Sequence, residues 1–368
     1  MLYVMDNNKD NTKSVNGHNE QPEKKKEEKI TFAYDKDALK KLKLVAVAYS
    51  HVERAWFPTE QSYIAELEVE ERAKQVVDEI KKLGVEAKAY PGDLYFLTNL
   101  LVDKPSMVLN LVDTLKGKDA LQTSVPAALE LSNIPYTGAG MEGLVIGNNR
   151  NLTKHLLLSY QIATPNFQFI RRVGTSIDQS LPLPLIVKLN ESGGSVGIDN
   201  YAVQESYADC QKKADEMVST YKMPVVVEQF IDGEEITACV YDDGLKNHVF
   251  LGQKIFKIKP DGKHNFTSFE SYEIAKSYKY KILEAELAAK ISPLVVRAFN
   301  GLSNKDYAKF DLRVDEKTGV INFTDCNPNT AFGPDKGLPF TEVISIYEIT
   351  FQDVLGSLLS KYAKNLKE

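Results

Sequence analysis

Cysteine is scarce in this 368-residue chain, with only Cys210, Cys239 and Cys326. An odd count without a Cys-x-x-Cys pair argues against both a disulfide framework and a structural zinc site, and fits a reducing compartment. Long apolar runs are missing too: none approaches the roughly 20 residues of a membrane span. The opening MLYVMDNNKD is too short and acidic for a signal peptide. A cytoplasmic chain with no membrane partner is therefore expected. Excess positive charge is also lacking, since 45 Lys+Arg stand against 51 Asp+Glu for a net charge of -6. No global field exists to hold a polyphosphate backbone, which argues against nucleic acid as a partner. There are no internal repeats and no G-x-x-x-x-G-K-[ST] phosphate loop. The run from Gly138 to Gly143 matches G-x-G-x-x-G, but it has no preceding core strand and no acid about 20 residues on, as dinucleotide binding requires. It reads as a domain-linking turn.

What is present is globular in composition: 43% hydrophobic, 26% charged and 10% aromatic residues, in a length suited to two or three domains at about 150 residues each. Residues 6 to 29 hold almost nothing apolar and cannot offset their ordering entropy, so a disordered polar tail is expected over 1–35. From residue 42, short apolar runs (42–49, 85–90, 106–113) alternate with helical spacing (64–83, 126–133). That pattern predicts parallel strands with crossover helices, an α/β domain over 36–137. Strands dominate later, at 166–173, 183–189, 225–243, 248–258, 307–315 and 320–328, with helices near 151–162, 204–221, 281–302 and 346–364. This predicts α+β structure with antiparallel sheets, divided as 138–223 and 224–368.

Three stretches carry chemistry. Lys188 ends a strand and is followed by Gly193, Gly194, Ser195 and Gly197, a flexible turn whose N–H groups suit phosphate oxygens while the lysine adds a point charge. Glu228, Ile231 and Glu235 lie where a buried strand runs out into acids, a place to meet an adenine edge and a ribose. Asp311 and Arg313 on one strand, and Asp325 and Asn327 on the next, aim hard oxygen ligands into one pocket of the kind that suits Mg²⁺ with phosphate. Their apolar neighbours Phe310, Leu312, Phe323 and Cys326 face the core. Cys326 is thus read as packing, as is His155 on its apolar helix. Trp56 and Phe57 either line an acceptor pocket or pin their loop.

In this order the pieces resemble the ATP-grasp superfamily, in its D-alanine–D-alanine ligase-like branch, over about residues 42 to 365. The resemblance is carried by IPYTGAG with NRNLTKHLLLSYQIATP, PLIVKLNESGGSVGI, VVVEQFIDGEEIT and YAKFDLRVDEKTGVINFTDCNPN. It implies a Rossmann-like preATP-grasp domain followed by two α+β subdomains that sandwich ATP. Lys188 then resembles the phosphate lysine, Gly193 to Ser195 the phosphate-covering loop, Glu228 with Ile231 the adenine hinge and Glu235 the ribose acid. Arg150 stands where the family carries an ATP-contacting lysine, and Lys276 resembles the lysine of the closing loop. Asp311, Asp325 and Asn327 match the ligands of two Mg²⁺ ions.

The implied reaction joins a carboxylate to an amine through an acylphosphate, with ADP and phosphate released. Its small-molecule substrates are amino-acid-like, and homodimerisation through the N-terminal domain is common in this branch. Departures fall on the acyl and acceptor positions: Gly194 for a serine, Lys309 for an arginine that polarises the tetrahedral intermediate, and Lys336 near a contact to the second amino acid. Gly194, Ser195 and Lys309 are the expected catalytic positions. Asn329 and Lys336 are expected to contact substrate, and either Glu53 or Glu60 the substrate amine. These departures imply substrates other than two D-alanines. The alternatives are an authentic D-alanine–D-alanine ligase of cell-wall synthesis and an inactive nucleotide-binding homologue.

Overall fold

The computed structural model describes residues 31–273 and 277–366. Most of the expected tail, and Lys276, lie outside these. The packed body begins earlier than residue 36: Phe32 is buried with its ring 4.9 Å edge-on from that of Tyr241, and Asp35 caps the turn Lys36–Leu39 with its carboxylate.

Three sheets organise the chain. β1 (Val45–Ser50), β2 (Ala87–Gly92) and β3 (Met107–Leu111) pair in parallel, in the order β2-β1-β3. β1 and β3 are buried along their whole length, as parallel strands covered on both faces are. The helix Val69–Lys82 makes the β1–β2 crossover, with Ala73, Val76, Val77 and Ile80 buried. The run from residue 64 is not one helix: Glu60–Ile64 is a separate short helix capped by Thr59.

A second sheet takes the order β4-β7-β5-β6, all antiparallel, from β4 (Phe167–Ile170), β5 (Leu185–Leu189), β6 (Val203–Gln204) and β7 (Val225–Gln229). The helix Tyr207–Tyr221 packs on it through Cys210, Ala214, Met217 and Val218. The third sheet is antiparallel in the order β10-β9-β8-β11-β12, built from β8 (Gly233–Asp242), β9 (Asn247–Phe256), β10 (Tyr278–Ile282), β11 (Tyr307–Asp315) and β12 (Ile321–Asn327). Ala285–Gly301 covers one face of it, burying Ile291, Val295, Ala298 and Phe299.

The glycine run 138–143 is more than a turn. Gly138 takes φ +85°, and Gly140 caps a short helix, Met141–Gly147, in which a Cβ on Gly143 would meet the Ser303 carbonyl oxygen at 2.3 Å. Glycine at 143 is thus set by helix packing rather than by a dinucleotide. The C-terminal helix, Phe351–Asn365, shares one hydrophobic core with the parallel sheet and with Tyr241 and Phe250 of the five-stranded sheet.

Candidate functional site

A cleft of about 480 Å³ opens between the three sheets. Its walls bring together Arg150, Lys188, Gly193, Gly194, Ser195, Glu228, Ile231, Glu235, Lys309, Asp311, Asp325, Asn327 and Asn329. Of the expected site residues that are described, Glu53, Glu60 and Lys336 are exposed and do not line it. Glu53 lies 3.2 Å from His51 and Glu60 2.8 Å from Arg54. The acids of that stretch that reach the cleft are Glu66 and Glu68.

β11 and β12 carry the oxygen donors. Asp311 lies opposite Asp325, and Lys309 opposite Asn327. A register shift follows Asp311, so that Leu312 pairs with Phe323 and Thr324 is left over. That bulge breaks the period of two and returns Phe323 to the core beside Phe310, Leu312 and Cys326, while Asp325 and Asn327 stay on the cleft. Burial pushes the Cys326 thiol up, as suits a packing residue.

The cations here are paired with acids, some of them shared. Arg150, 8% exposed, reaches Asp325 at 2.6 Å and donates to the Leu189 carbonyl at 2.5 Å. Lys309 pairs with Asp311. Burial would raise the Asp311 carboxyl, but Lys309 and Lys254 hold it below the ordinary range. Glu228, at the end of β7, is 1% exposed and lies between Lys188 and Lys154, the latter at 2.5 Å. Burial alone would raise this carboxyl too, but the two ammoniums bring it down to about 2. Lys154 also donates to Thr164 at 2.9 Å.

Glu235 is held by Lys254 at 2.7 Å, Thr267 at 2.6 Å and Arg313 at 2.8 Å. Arg313 further donates to the carbonyls of Ile231 and Asn265, and its guanidinium lies 4.6 Å from the centre of the Phe230 ring. Lys154, Lys254 and Phe230 escape sequence reasoning. The first two lie in otherwise apolar runs, and only the fold brings them to these acids.

The glycine turn sits over the cleft with left-handed backbone at Gly194 (φ +59°), Ser195 (φ +56°) and Gly197 (φ +78°). It is docked on the N-terminal segment: the Gly193 N–H donates to Asp119 at 3.3 Å and the Gly197 N–H to Gln61 at 3.2 Å. Asp113 lies 3.8 Å from Arg72 nearby. Burial pushes Asp119 up to about 7 and Asp113 to about 6, and raises Glu66 well above the carboxylate range, with Asp113 and Asp119 adding to the last.

A nucleotide with Mg²⁺ fits this chemistry. The buried Arg150 Nε and the Asn148 amide nitrogen have no hydrogen-bond partner, which leaves donors free for phosphate oxygens. Among the described residues no group of three His, Cys, Asp or Glu is set to hold a metal alone. The third oxygen beside Asp311 and Asp325 would be the Asn327 amide, the hard donor set that Mg²⁺ takes.

Solved structures share this fold. D-alanine–D-alanine ligase from Bacillus anthracis, complexed with ATP, superposes with TM-score 0.65 at 19% identity, over 88% of this chain and 98% of that one. The VanG D-Ala:D-Ser ligase of Enterococcus faecalis does so with TM-score 0.63 at 16% identity, over 87% and 99%. The fold is thus ATP-grasp. The class, an ATP-dependent, ADP-forming ligase, follows from the family match and the relatives below, and ATP with Mg²⁺ is the pair such ligases use. The family model for the D-ala D-ala ligase C-terminus matches residues 156–360, and the chain belongs to that family. It is 30% identical over 257 residues to uncharacterized protein y4sG of Sinorhizobium fredii, covering 66% of this chain and 74% of that protein. It is 29% identical over 252 residues to the D-alanine–D-alanine ligase of Polaromonas naphthalenivorans, with the same coverage.

Proposed function

We propose that the chain joins the carboxylate of one amino-acid-like substrate to the amine of another through an acylphosphate, and that its substrates are not two D-alanines. The observation that carries the reaction is the facing pair Asp311 and Asp325 with Asn327, set across one cleft from Lys188 and the glycine turn. In the reaction a substrate carboxylate oxygen attacks the γ-phosphorus and ADP leaves. The amine, having given up a proton, then attacks the acyl carbon and phosphate leaves.

Two Mg²⁺ ions held by Asp311, Asp325 and Asn327 would neutralise phosphate charge during transfer. Lys188, Arg150 and the N–H groups of Gly193 to Ser195 hold the phosphates. Ile231 and Glu228 at the end of β7 border the base, and Glu235 the ribose. Lys309 faces the acyl group as a single point charge, where a guanidinium offers a bidentate fork. The turn excludes water from the acylphosphate. Behind Asn327, Phe332 is fully buried and stacks on Tyr307 with centroids 4.5 Å apart. Of the departures from the family pattern, Gly194 and Lys309 line the cleft and support changed substrates.

Phosphate release from ATP and Mg²⁺, with D- and L-amino acids singly and in pairs and products identified by mass, tests this reading. Release with a pair other than D-alanine, abolished by EDTA, is expected. Release that needs D-alanine alone refutes the specificity, and absence of any amide product refutes the reaction.

A further inference from the structure

Arg72, Arg150 and Arg313 all line the cleft, and Arg72 is held unlike the other two. Arg313 donates to Glu235 and to the carbonyls of Ile231 and Asn265, and Arg150 donates to Asp325 and to the Leu189 carbonyl. Arg72 makes no hydrogen bond among the described residues, and its guanidinium comes only within 3.8 Å of Asp113, beyond hydrogen-bond reach. Its side chain is nevertheless only 13% exposed. A guanidinium withdrawn from bulk water with its donors unpaired marks a place where an anion completes the hydrogen bonding. The stem is fixed in place: it leaves the crossover helix Val69–Lys82 and passes over Gly333, where a Cβ would lie 2.9 Å from its Cγ and 3.3 Å from its Cδ. Gly333 belongs to the segment that follows Asn327, and Asn329, Thr330 and Ala331 of that segment line the same cleft. The guanidinium is thereby set against the chain that leads away from the Asn327 end of β12.

We propose that Arg72 grips the carboxylate of the amine-donating substrate, so that the acceptor is a free amino acid rather than a simple amine or an amino-acid amide. This rests on the ligase reading above. When both substrates are amino acids, two carboxylates enter the cleft. One is consumed: its oxygen attacks phosphorus, and a guanidinium clamped on that oxygen would tie up the lone pairs it needs. The other passes unchanged into the product, and a lasting bidentate pair suits it. The nucleotide phosphates are the rival anion. Lys188, Arg150 and the N–H groups of the glycine turn already face them, and none of these belongs to the parallel-sheet segment that carries Arg72. Burial lifts the carboxyls of Glu66, Asp113 and Asp119 toward their protonated forms, which lessens the repulsion that an incoming carboxylate meets.

The test sets amino acids against their own primary amides, which keep the amine and the shape but lose the carboxylate charge. D- and L-amino acids, singly and in pairs, are run with ATP and Mg²⁺ and an equimolar share of the same amino acids as primary amides, and the condensed products are counted by mass. An amide has no carboxylate to activate, so it enters product only as the acceptor, and the ratio of free-acid to amide product reports the acceptor position alone. Wild type should favour the free acid by at least about tenfold, the worth of one charged hydrogen-bonded pair. Arg72→Gln should bring the ratio below about threefold through a raised KM for the acceptor, with the KM for ATP unmoved, and Arg72→Lys should fall between. The wild-type ratio and the lysine variant decide the matter even where Arg72→Gln misfolds. Amide product formed as readily as free-acid product by wild type overturns the inference and leaves the ligase reading standing. A ratio that survives both substitutions overturns it as well, and so does a rise in the KM for ATP instead, which would assign Arg72 to phosphate. Absence of any condensed product removes the ligase reading and this inference with it.

Discussion

Glu228 offers the sharpest test of how this cleft is held together. It is 1% exposed and carries two lysines, Lys154 at 2% exposure and Lys188 at 9%. Glu228→Gln keeps the volume and removes the charge, leaving two buried ammoniums with little beyond the Thr164 hydroxyl to receive them. Removing one member of a buried pair costs ~3–5 kcal/mol. The pKa gives a similar figure, since lowering a carboxyl from 4.5 to about 2 corresponds to ~3 kcal/mol.

Denaturant unfolding of wild type, Glu228→Gln, Lys154→Met and the double variant at pH 7 measures both loss and coupling. The single glutamate variant should lose several kcal/mol, and Lys154→Met should recover part of that loss in its background. Because the folded pKa lies below the unfolded one, the stabilisation is fully present above about 4.5 and is lost as pH falls through about 2. The gap between wild type and Glu228→Gln should therefore close over that window. A loss below ~1 kcal/mol, or additivity within ~0.5 kcal/mol, would refute the reasoning.

Three further outcomes are expected. Asp119, raised by burial from 3.8 to about 7, binds in the folded state a proton that the unfolded chain has released. Native stability should therefore fall as pH rises through that window, and Asp119→Asn should flatten the fall and be the more stable form at pH 8, measured by urea unfolding from pH 4.5 to 8. Gly194→Ala places a side chain at φ +59° and 3.2 Å from Ala65. It should cost ~1–2 kcal/mol in backbone strain and reduce phosphate release by more than that loss explains, because it also lifts the turn. Arg313→Met removes one of the two cations on Glu235 and the donor to the carbonyls of Ile231 and Asn265. The KM for ATP should rise at least tenfold, and an unaltered KM would show that Glu235 needs only Lys254.

The sequence was legible where a feature is local. The parallel strands and their crossover helix announce themselves by apolar runs and spacing, and β11 and β12 by polar residues framed with Phe310, Leu312 and Phe323. Strict alternation on β12 puts Phe323 on the face of Asp325, however. Only the bulge at Thr324 reconciles the two, and a bulge arises from pairing with a partner strand rather than from residue order. Glu53 and Glu60 sit in the right stretch, but short local pairs with His51 and Arg54 keep them outside. Glu66, a few residues on, reaches the cleft because the chain turns between the short helix Glu60–Ile64 and the crossover helix Val69–Lys82. Asp113, Asp119 and Arg72 come from the loop after β3, the short 3-10 helix Asp119–Thr123 and the crossover helix Val69–Lys82, and convergence of that kind has no spacing to read. The short helix Met141–Gly147 was obscured by its own glycines, which are poor helix formers retained here for close approach to Ser303.

The shared core has a mechanical consequence. The parallel sheet, the C-terminal helix and the inner strands of the five-stranded sheet bury one continuous cluster, whereas the four-stranded sheet and its helix Tyr207–Tyr221 keep a core of their own. The cleft is therefore a jaw with one massive half and one light half. Its pivots are the polar links of Arg150 to the Leu189 and Asn190 carbonyls and of Thr164 to the Phe323 carbonyl, short bonds that tolerate rotation better than interdigitated side chains do. A fluorophore on the outer face of Tyr207–Tyr221 should report each opening for nucleotide exchange, while one on Phe351–Asn365 should stay silent until the whole molecule unfolds.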